Sequence, residues 1–471
     1  MSKPVRKLVP LDAATDMDLY EVRRTIHPRD VHGIFANWRL ALVVLTQLVF
    51  YGGPWLAWNG RQAVLFDLAA RKFYIFGLVL WPQDFIFLTM LLIISALSLF
   101  LFTAVAGRLW CGYACPQTVY TEIFMWIERR IEGDRIARLK LDAQPAGPRK
   151  IALKALKHGV WIALALWTGF TFVGYFTPIH TLVEELAGFA LGPWEAFWVL
   201  FYAFATYGNA GWMREQVCKY MCPYARFQSV MFDPDTLVIT YDAERGEPRG
   251  ARSRSIDYKA AGLGACVDCG ICVQACPTGI DIRDGLQYEC IGCAACIDGC
   301  NQVMDKLGYQ RGLIRYTTEN AVHGKYDDGQ IVRHVLRPRT LVYGAALLAL
   351  MTAFFTLLYL RTPLKVDVIR DRGTLMRETT DGRLENIYRL QVMNTREEPR
   401  QFVITVTGIE GIRAIAQDAL TVPAAGAMMV PVSVSIDAGV VQPGAHGIRF
   451  RIEDRMDARV HVVEKSVFYV R

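Results

Sequence analysis

Five apolar blocks constrain this chain most, because each is close to the ~20 residues that a bilayer core requires. The blocks are Leu40–Trp58, Phe85–Val105, His158–Phe176, Leu191–Tyr207 and Thr340–Leu360. A sixth stretch, Phe73–Trp81, is too short to span a bilayer and is interpreted as an interfacial or re-entrant piece. The chain is therefore predicted to be a multipass membrane protein with a bundle of five transmembrane helices.

Basic residues between the blocks predict the orientation. Ten Lys or Arg lie in residues 107–157 and fifteen in 210–337, whereas residues 178–190 contain none. Because Lys and Arg concentrate in cytoplasmic loops, the N-terminus and residues 210–337 are expected inside and the C-terminus outside. These flanks also account for the net charge of +7, so nucleic acid is not predicted as a partner.

Residues 362–471 differ from the membrane part. Short runs that alternate apolar and polar residues, separated by Gly, Pro and polar turns, predict an all-β sandwich of about seven strands. This segment has no cysteine, so its stability must rest on its core alone. The predicted domains are an N-terminal cytoplasmic segment (1–39), a region with four transmembrane helices (40–235), a cytoplasmic cysteine-rich domain (236–337), a fifth transmembrane helix (338–361) and the outer β-sandwich (362–471).

The strongest chemical signal is a pair of cysteine runs with the spacing of bacterial two-cluster ferredoxins. The pattern Cys-x2-Cys-x2-Cys-x3-Cys runs from residue 266 to 276 and again from 290 to 300. In this arrangement the fourth cysteine of each run binds the other run's cluster. The predicted ligands of two [4Fe–4S] clusters are Cys266, Cys269, Cys272 and Cys300 for the first, and Cys276, Cys290, Cys293 and Cys296 for the second.

Structural zinc is the alternative for these eight cysteines. Zinc sites usually pair their cysteines, whereas these runs are uninterrupted. All twelve cysteines lie between Cys111 and Cys300, which favours metal binding on a reducing side over a disulfide framework. Small residues such as Gly270, Gly292 and Ala294 would let backbone N–H groups approach the sulfurs.

A second cysteine pattern is an internal repeat. Cys111-x3-Cys115-Pro recurs 107 residues later as Cys218-x3-Cys222-Pro. Cysteines four apart share one face of a regular helix, and symmetric packing of the two halves would bring four thiols together near the ferredoxin-like domain. Thiolates favour Cu(I) over harder ions, so copper is one interpretation. The others are a redox pair that cycles through a disulfide, and buried cysteines that act as small hydrophobes.

The order of these parts resembles the CcoG/FixG/RdxA family, accessory proteins for the maturation of cbb3-type cytochrome oxidases in the bacterial inner membrane. The resemblance is carried by GRLWCGYACPQTVYTEIFMWIERRIEGDR, by CKYMCPYARFQSVMFD and by the double cysteine run. It covers residues 20–360, and the terminal β-domain matches the family's immunoglobulin-like C-terminal domain.

The resemblance implies a membrane iron–sulfur electron-transfer protein that reduces Cu(II) to Cu(I) during oxidase assembly. In that case the clusters relay electrons, and the copper or redox site is formed by Cys111, Cys115, Cys218 and Cys222. Implied partners are cbb3-type oxidase subunits or copper transporters and chaperones. The cytoplasmic electron donor is unidentified, because the sequence has no dinucleotide-binding or haem-attachment motif. An electron-transfer subunit of a quinol-linked reductase and a non-enzymatic assembly scaffold are the alternatives.

Overall fold

A computed structural model of the chain describes residues 25–253, 257–371, 376–415 and 419–471. Most of the predicted N-terminal segment lies outside these residues. The α-helices, numbered in chain order, are α1 (Ile34–Gly52), α2 (Phe85–Ala106), α3 (Leu109–Tyr113), α4 (Pro116–Glu132), α5 (Arg135–Ala143), α6 (Pro148–Val173), α7 (Ile179–Ala187), α8 (Pro193–Thr206), α9 (Pro223–Met231), α10 (Ala243–Gly246), α11 (Ile271–Ala275), α12 (Ala295–Leu307), α13 (Glu319–Val322), α14 (Ile331–Val335) and α15 (Pro338–Tyr359). The strands are β1 (Ala57–Trp58), β2 (Arg61–Gln62), β3 (Val64–Asp67), β4 (Lys72–Ile75), β5 (Leu78–Leu80), β6 (Val238–Tyr241), β7 (Ile314–Thr317), β8 (Leu364–Arg370), β9 (Arg377–Glu378), β10 (Arg383–Asn394), β11 (Arg400–Thr407), β12 (Arg413–Ile415), β13 (Leu420–Val422), β14 (Ala427–Asp437), β15 (Gly444–Asp454) and β16 (Asp457–Val470).

Four helices in the described residues are long and apolar enough to cross a membrane. These spans are Ile34–Trp55, Pro82–Ala106, Pro148–Val173 and Pro338–Tyr359. They correspond to four of the five predicted blocks. The bounds differ: α1 begins at Ile34 rather than Leu40, and α6 begins at Pro148 rather than His158.

The remaining block, predicted as Leu191–Tyr207, is wound differently. Its α-helix, α8, has 14 residues and continues as a π-helical segment of 7 residues, Tyr207–Met213. The α-helical part alone is shorter than the ~20 residues that a bilayer requires. The block reaches a spanning length only when the π-helical turns are included.

Small side chains let the membrane helices approach one another. A Cβ added to Gly169 of α6 would lie 2.2 Å from the carbonyl oxygen of Val199 on α8. Close backbone approach through small residues is a common way for membrane helices to pack. On the other side of the bundle, α2 packs against α15, where Phe87 and Phe354 meet edge to face.

The stretch Phe73–Trp81 contains β4 and β5, which form a three-stranded antiparallel sheet with β3, so it is β-structure rather than a re-entrant segment. An interfacial position for it stays a prediction. Val79 and Trp81 form a buried cluster with Met393 of β10, whereas Ile75 and Phe76 are exposed. This small sheet therefore contacts the C-terminal domain through Val79, and Trp81 beside it adds to the same contact.

The C-terminal domain is the predicted all-β sandwich. One sheet has the order β12-β14-β10-β8, with β9 beside β10, and the other has the order β13-β11-β15-β16. The described residues form nine strands rather than about seven, because the short strands β9, β12 and β13 add to the sheet edges. Tyr388, Phe450 and Phe468 are fully buried between the sheets, and the Tyr388 hydroxyl donates to the Val467 carbonyl (2.8 Å).

The cysteine-rich domain is held to the bundle by a helix cap. Gly33, which precedes α1, has no side chain to cap that helix. Asp298 of α12 supplies the acceptor, taking a hydrogen bond from the Ala36 N–H (2.7 Å) and a longer one from the Phe35 N–H (3.5 Å). An acidic group at a helix N-terminus satisfies free N–H groups and complements the helix dipole.

A buried ion cluster ties α4, α5 and α6 to the π-helical segment. The Glu128 carboxylate lies 3.1 Å from an Arg138 nitrogen, 3.4 Å from Lys157 Nζ and 3.1 Å from an Arg214 nitrogen. Burial opposes the charge of Glu128, but Arg214, Lys157 and Arg138 outweigh it and lower its pKa. Glu128 therefore faces three buried cations, of which Lys157 also pairs with the buried Glu132 (2.9 Å).

Replacing Glu128 by Ala is expected to destabilise the bundle by about 3–5 kcal/mol, because it leaves buried cations without their counter-charge. The measurement is the thermal midpoint of the detergent-solubilised protein by circular dichroism. Glu184→Ala removes an exposed carboxylate of α7 and serves as the matched control. Equal midpoints for the two variants would contradict this account.

Candidate metal centres

The first cysteine set lines one cavity of the cysteine-rich domain. This cavity, of about 350 Å³, is lined by all four cysteines that the spacing assigns to the first cluster: Cys266, Cys269, Cys272 and Cys300. Three of them are buried, and Cys269 is exposed at the protein surface. Tyr241, Met304 and Leu313 supply part of the remaining wall. The structure thus brings together residues 34 positions apart in the chain.

The second set lines a neighbouring cavity of about 330 Å³, with walls that include Cys276, Cys290, Cys293 and Cys296. Ile239, Ile280 and Ile282 make the rest of this cavity apolar. Cys272 lines both cavities, so the two adjoin. Cys300 of the second run lines the first cavity and Cys276 of the first run lines the second, which are the positions that the predicted exchange requires.

Each cysteine run is bent by residues in the left-handed backbone region. In the first run these are Asp268 (φ 52°) and Gly270 (φ 64°); in the second they are Gly292 (φ 67°) and Ala294 (φ 61°). They flank the second cysteine of each run at equivalent positions. When right-handed and left-handed backbone conformations alternate, successive N–H groups turn to one side of the chain. The concave surface that results suits iron–sulfur sites.

The eight cysteines fit a cubane cluster better than a single ion. A cluster spreads its ligands over four iron corners, whereas one ion needs them to converge. In the part of the chain that the structure describes, no three His, Cys, Asp or Glu side chains converge as ligands of a single metal ion. Backbone N–H groups of Gly292 and Ala295 face the sulfurs of Cys290 and Cys293, as expected from the small residues nearby.

Burial raises the pKa values of five of these thiols, namely Cys272, Cys290, Cys293, Cys296 and Cys300. It raises the pKa of Cys272 to about 11 and the pKa values of Cys290 and Cys300 to about 12. Metal ligation requires thiolates, so loading the sites must release protons. The positive iron corners of a cluster would supply the charge that the apolar walls lack.

In both Cys-x3-Cys-Pro motifs the helix breaks before the second cysteine, whereas one regular helix was predicted for each. Cys111 lies on the short helix α3, and Cys218 lies on a π-helical segment, Val217–Met221. Each helix ends before the second cysteine. Cys115 and Cys222 are extended and begin the next helix, whose first residue is the proline. A proline disfavours helical geometry in the residue before it, which explains the break.

The structure places the four cysteines of these motifs near one another, although in the described residues they do not converge closely enough to form a single-ion site. Burial raises the pKa of Cys111 to about 11 and that of Cys218 to about 12, and the neighbouring thiols of Cys115 and Cys222 raise both further. The Cys115 sulfur faces the backbone N–H groups of Gln117 and Thr118 at the start of α4, which favour its thiolate form. All four are free thiols of intermediate exposure.

The first motif touches the second cysteine run directly. A Cβ added to Gly112 would lie 2.7 Å from the Gly292 carbonyl oxygen and 2.8 Å from the Cys293 backbone nitrogen. Cys111 and Cys218 pack against a buried group that contains Ile291 and Cys293. The membrane cysteines therefore border the site predicted for the second cluster.

A cavity of about 540 Å³ joins these two sites. Cys218 and Cys293 both line it, together with polar residues from three parts of the bundle. Those polar residues are Arg39, Gln117, Glu122, Arg214 and Glu215. Sequence reasoning missed all of them, because charged residues near apolar blocks were interpreted only as cytoplasmic flanks. It also missed Gly112, whose only signal was its place inside a cysteine motif.

Replacing Gly112 by Ala is expected to push the first motif away from the second cysteine run, because the new Cβ would overlap backbone atoms that cannot rotate aside. Overpacking of this kind costs about 1–3 kcal/mol. Thermal loss of the cluster absorbance is the measurement. Gly159→Ala is the control, since its Cβ would meet nothing within 4 Å. A Gly112→Ala protein as stable as this control would contradict the proposed contact.

Comparison with known proteins agrees with these sites. A family model described as a 4Fe-4S dicluster domain matches residues 213–319, which contain both cysteine runs. A 4Fe-4S binding domain matches residues 88–133, and an IG-like fold at the C-terminal of FixG matches residues 354–471. The protein therefore carries iron–sulfur sites and a terminal immunoglobulin-like domain.

Three relatives are similar over most of their length. Nitrogen fixation protein FixG of Rhizobium meliloti is 40% identical over 425 residues, covering 83% of this chain and 80% of that protein. Protein RdxA of Cereibacter sphaeroides is 38% identical, covering 84% and 85%, and Protein RdxB of the same organism is 39% identical, covering 94% and 96%. With these identities, this arrangement of helices and the cysteine-lined cavities, the chain belongs to the FixG/RdxA family of membrane iron–sulfur proteins.

Proposed function

We propose that this protein is a membrane cupric reductase that supplies Cu(I) during assembly of a cbb3-type cytochrome oxidase. The contact between the membrane cysteines and the second cysteine run is the observation that supports it. Gly112 packs on the Gly292–Cys293 backbone, and Cys218 shares a cavity with Cys293. A redox centre and a soft-metal site in direct contact are what reduction of a bound metal ion requires.

The eight cysteines of the two runs are proposed to hold the two clusters as the spacing predicts. Two buried cavities, each lined by its own set of four, support that assignment. When bound, clusters of this kind supply electrons one at a time. The protein's share is to exclude water with the isoleucines of the second cavity and to place N–H groups near the sulfurs, which tunes the potential.

Copper is proposed as the substrate of Cys111, Cys115, Cys218 and Cys222, not as a resident ion. One electron converts Cu(II) to Cu(I), and no protein bond is made or broken. Thiolates stabilise Cu(I), so these cysteines would favour the reduced product. The N–H groups of Gln117 and Thr118 at the Cys115 sulfur help that thiol to lose its proton when the ion binds.

The basic flanks support an arrangement in the bacterial inner membrane with the N-terminus and the ferredoxin-like domain in the cytoplasm. An odd number of crossings then leaves the β-sandwich in the periplasm. Electrons would come from a cytoplasmic or membrane donor. The β-sandwich is proposed to meet the oxidase subunits, copper transporters or copper chaperones.

Replacing all four membrane cysteines by Ser is expected to abolish Cu(II) reduction by the dithionite-reduced protein while leaving both clusters in place. The reason is that Ser keeps the volume but removes the soft ligand. Copper reduction is followed with a Cu(I)-specific chelator, and iron analysis provides the internal control, with about eight irons per chain expected. A quadruple variant that reduces Cu(II) at the wild-type rate would show that the copper site lies elsewhere.

A further inference from the structure

A cleft that opens to solvent lies beside the cysteine site and takes no part in the function proposed above. It is lined by the segment before α1, by α4, α5 and α6, and by the chain after α8. Its wall consists of Thr25, Ile26, His27, Glu128, Asp142, Lys154, Lys157, His158, Trp161, Gly211, Trp212, Arg214 and Glu215.

Two buried side chains offer this cavity unused hydrogen-bonding atoms. His27, 6% exposed, uses Nε2 for Asp142 (2.8 Å), while its Nδ1 has no hydrogen-bond partner among the residues that the structure describes. With Asp142 as acceptor, Nε2 carries the proton and Nδ1 is left as an acceptor. Arg214, 7% exposed, binds Glu128 through one nitrogen, while its Nη1 has no partner within the described ranges. A ligand that fits must therefore both donate and accept a hydrogen bond.

The charges around the cavity favour a neutral ligand over a phosphate group. Lys157 and Arg214 both pair with Glu128, and Lys154 pairs with Asp142 (2.8 Å) and Glu132 (3.0 Å). An anionic headgroup would have to compete with these carboxylates. The cations that would attract an anion already have counter-charges.

The apolar part of the wall is aromatic. Trp161 is buried and Trp212 is half-exposed, and the His158 ring stacks on Trp212 with centroids 5.9 Å apart and planes 23° apart. Lys154, Lys157 and His158 lie near the start of the membrane-crossing helix α6. Tryptophans are common at this level, where the membrane meets water. A flat ring that partitions into the bilayer suits such a wall.

This cavity adjoins the redox site. Arg214 and Glu215 line both it and the smaller cavity that contains Cys218 and Cys293. Only these two residues of the wall are shared. Arg214 and Glu215 therefore stand between a ligand here and the pocket that Cys218 and Cys293 line.

We propose that this cavity binds the ring of a membrane hydroquinone, which is the electron donor of the protein. One hydroxyl donates to His27 Nδ1, and the opposite oxygen accepts from Arg214 Nη1. The role as donor rests on the proposed function, whereas the binding site does not.

The redox step balances. Oxidation of one hydroquinone to a quinone releases two electrons and two protons, and the electrons match the two one-electron acceptors of the cysteine-rich domain. His27 Nδ1 takes up the proton of the hydroxyl that it binds and releases the Nε2 proton to Asp142, whose side chain is 38% exposed to water. The hydroxyl beside Arg214 gives its proton to water at the open side of the cleft. Glu128 of α4 and Arg138 of α5 also face His27, with opposite effects on its charge.

Binding is measured anaerobically by titrating decyl-ubiquinol, the reduced form that carries both hydroxyl groups, into the full-length protein in detergent and following the quenching of tryptophan fluorescence. Saturable quenching is expected for the wild type, with at least tenfold weaker binding for His27→Leu. His32→Leu, a change at an exposed histidine nearby, should bind like the wild type. Trp212→Phe should reduce the quenchable emission even if His27→Leu fails to fold.

Three results would overturn the proposal: quenching that does not saturate, equal affinity in His27→Leu and His32→Leu, or displacement of the quinol by phosphatidylglycerol, which would make the cavity a phospholipid site. Copper reduction by the dithionite-reduced wild type needs no hydroquinone. Failure of that reaction would reject the proposed function and leave the binding result intact.

Discussion

The packing of Gly112 against the Gly292–Cys293 backbone is the contact on which the functional arrangement depends. It brings the first membrane motif to the second cysteine run with no side chain between them. The Asp298 cap on α1 holds the same domain from its other side. Together these contacts turn a soluble-type ferredoxin unit into a part of the membrane bundle, so that its second site borders the four membrane cysteines.

Arg214 connects most of the remaining features. It lies between two π-helical segments, has a φ of 43°, and binds the buried Glu128. It also lines both of the larger cavities. A non-glycine residue in this backbone region is costly and persists only where its surroundings enforce it, and π-helical turns are frequent at functional sites. The strain at Arg214 is therefore consistent with a role at the boundary between the cavities.

Local spacing explains what could be predicted from sequence. Each cysteine run places three of the four predicted ligands of one cluster within a few residues, and the exchange of the fourth cysteine is predicted from the spacing. The β-sandwich was predictable because period-two alternation survives in β10, β14 and β15. The apolar blocks could also be predicted from the sequence. The change from the α-helix α8 to a π-helical segment could not, because helix type there depends on packing against the neighbouring helices.

Long-range contacts explain what could not be predicted. Glu128 meets partners 10, 29 and 86 residues away, and nothing in its own sequence neighbourhood marks it. The sheet formed by β4 and β5 was not predicted, and the buried contact of Val79 with Met393 could not be, because Met393 lies more than 300 residues later in the chain. The helix break before Cys115 had a local signal in Pro116, which the assumption of one regular helix overlooked.

The most direct test of the central claim is a single-turnover experiment followed by electron paramagnetic resonance. Protein reduced with dithionite and freed of excess reductant is mixed anaerobically with Cu(II) and frozen at intervals. The account predicts that the reduced-cluster and Cu(II) signals disappear together, with about two Cu(II) consumed per chain because each cluster gives one electron. Clusters that remain reduced while Cu(II) persists would contradict it.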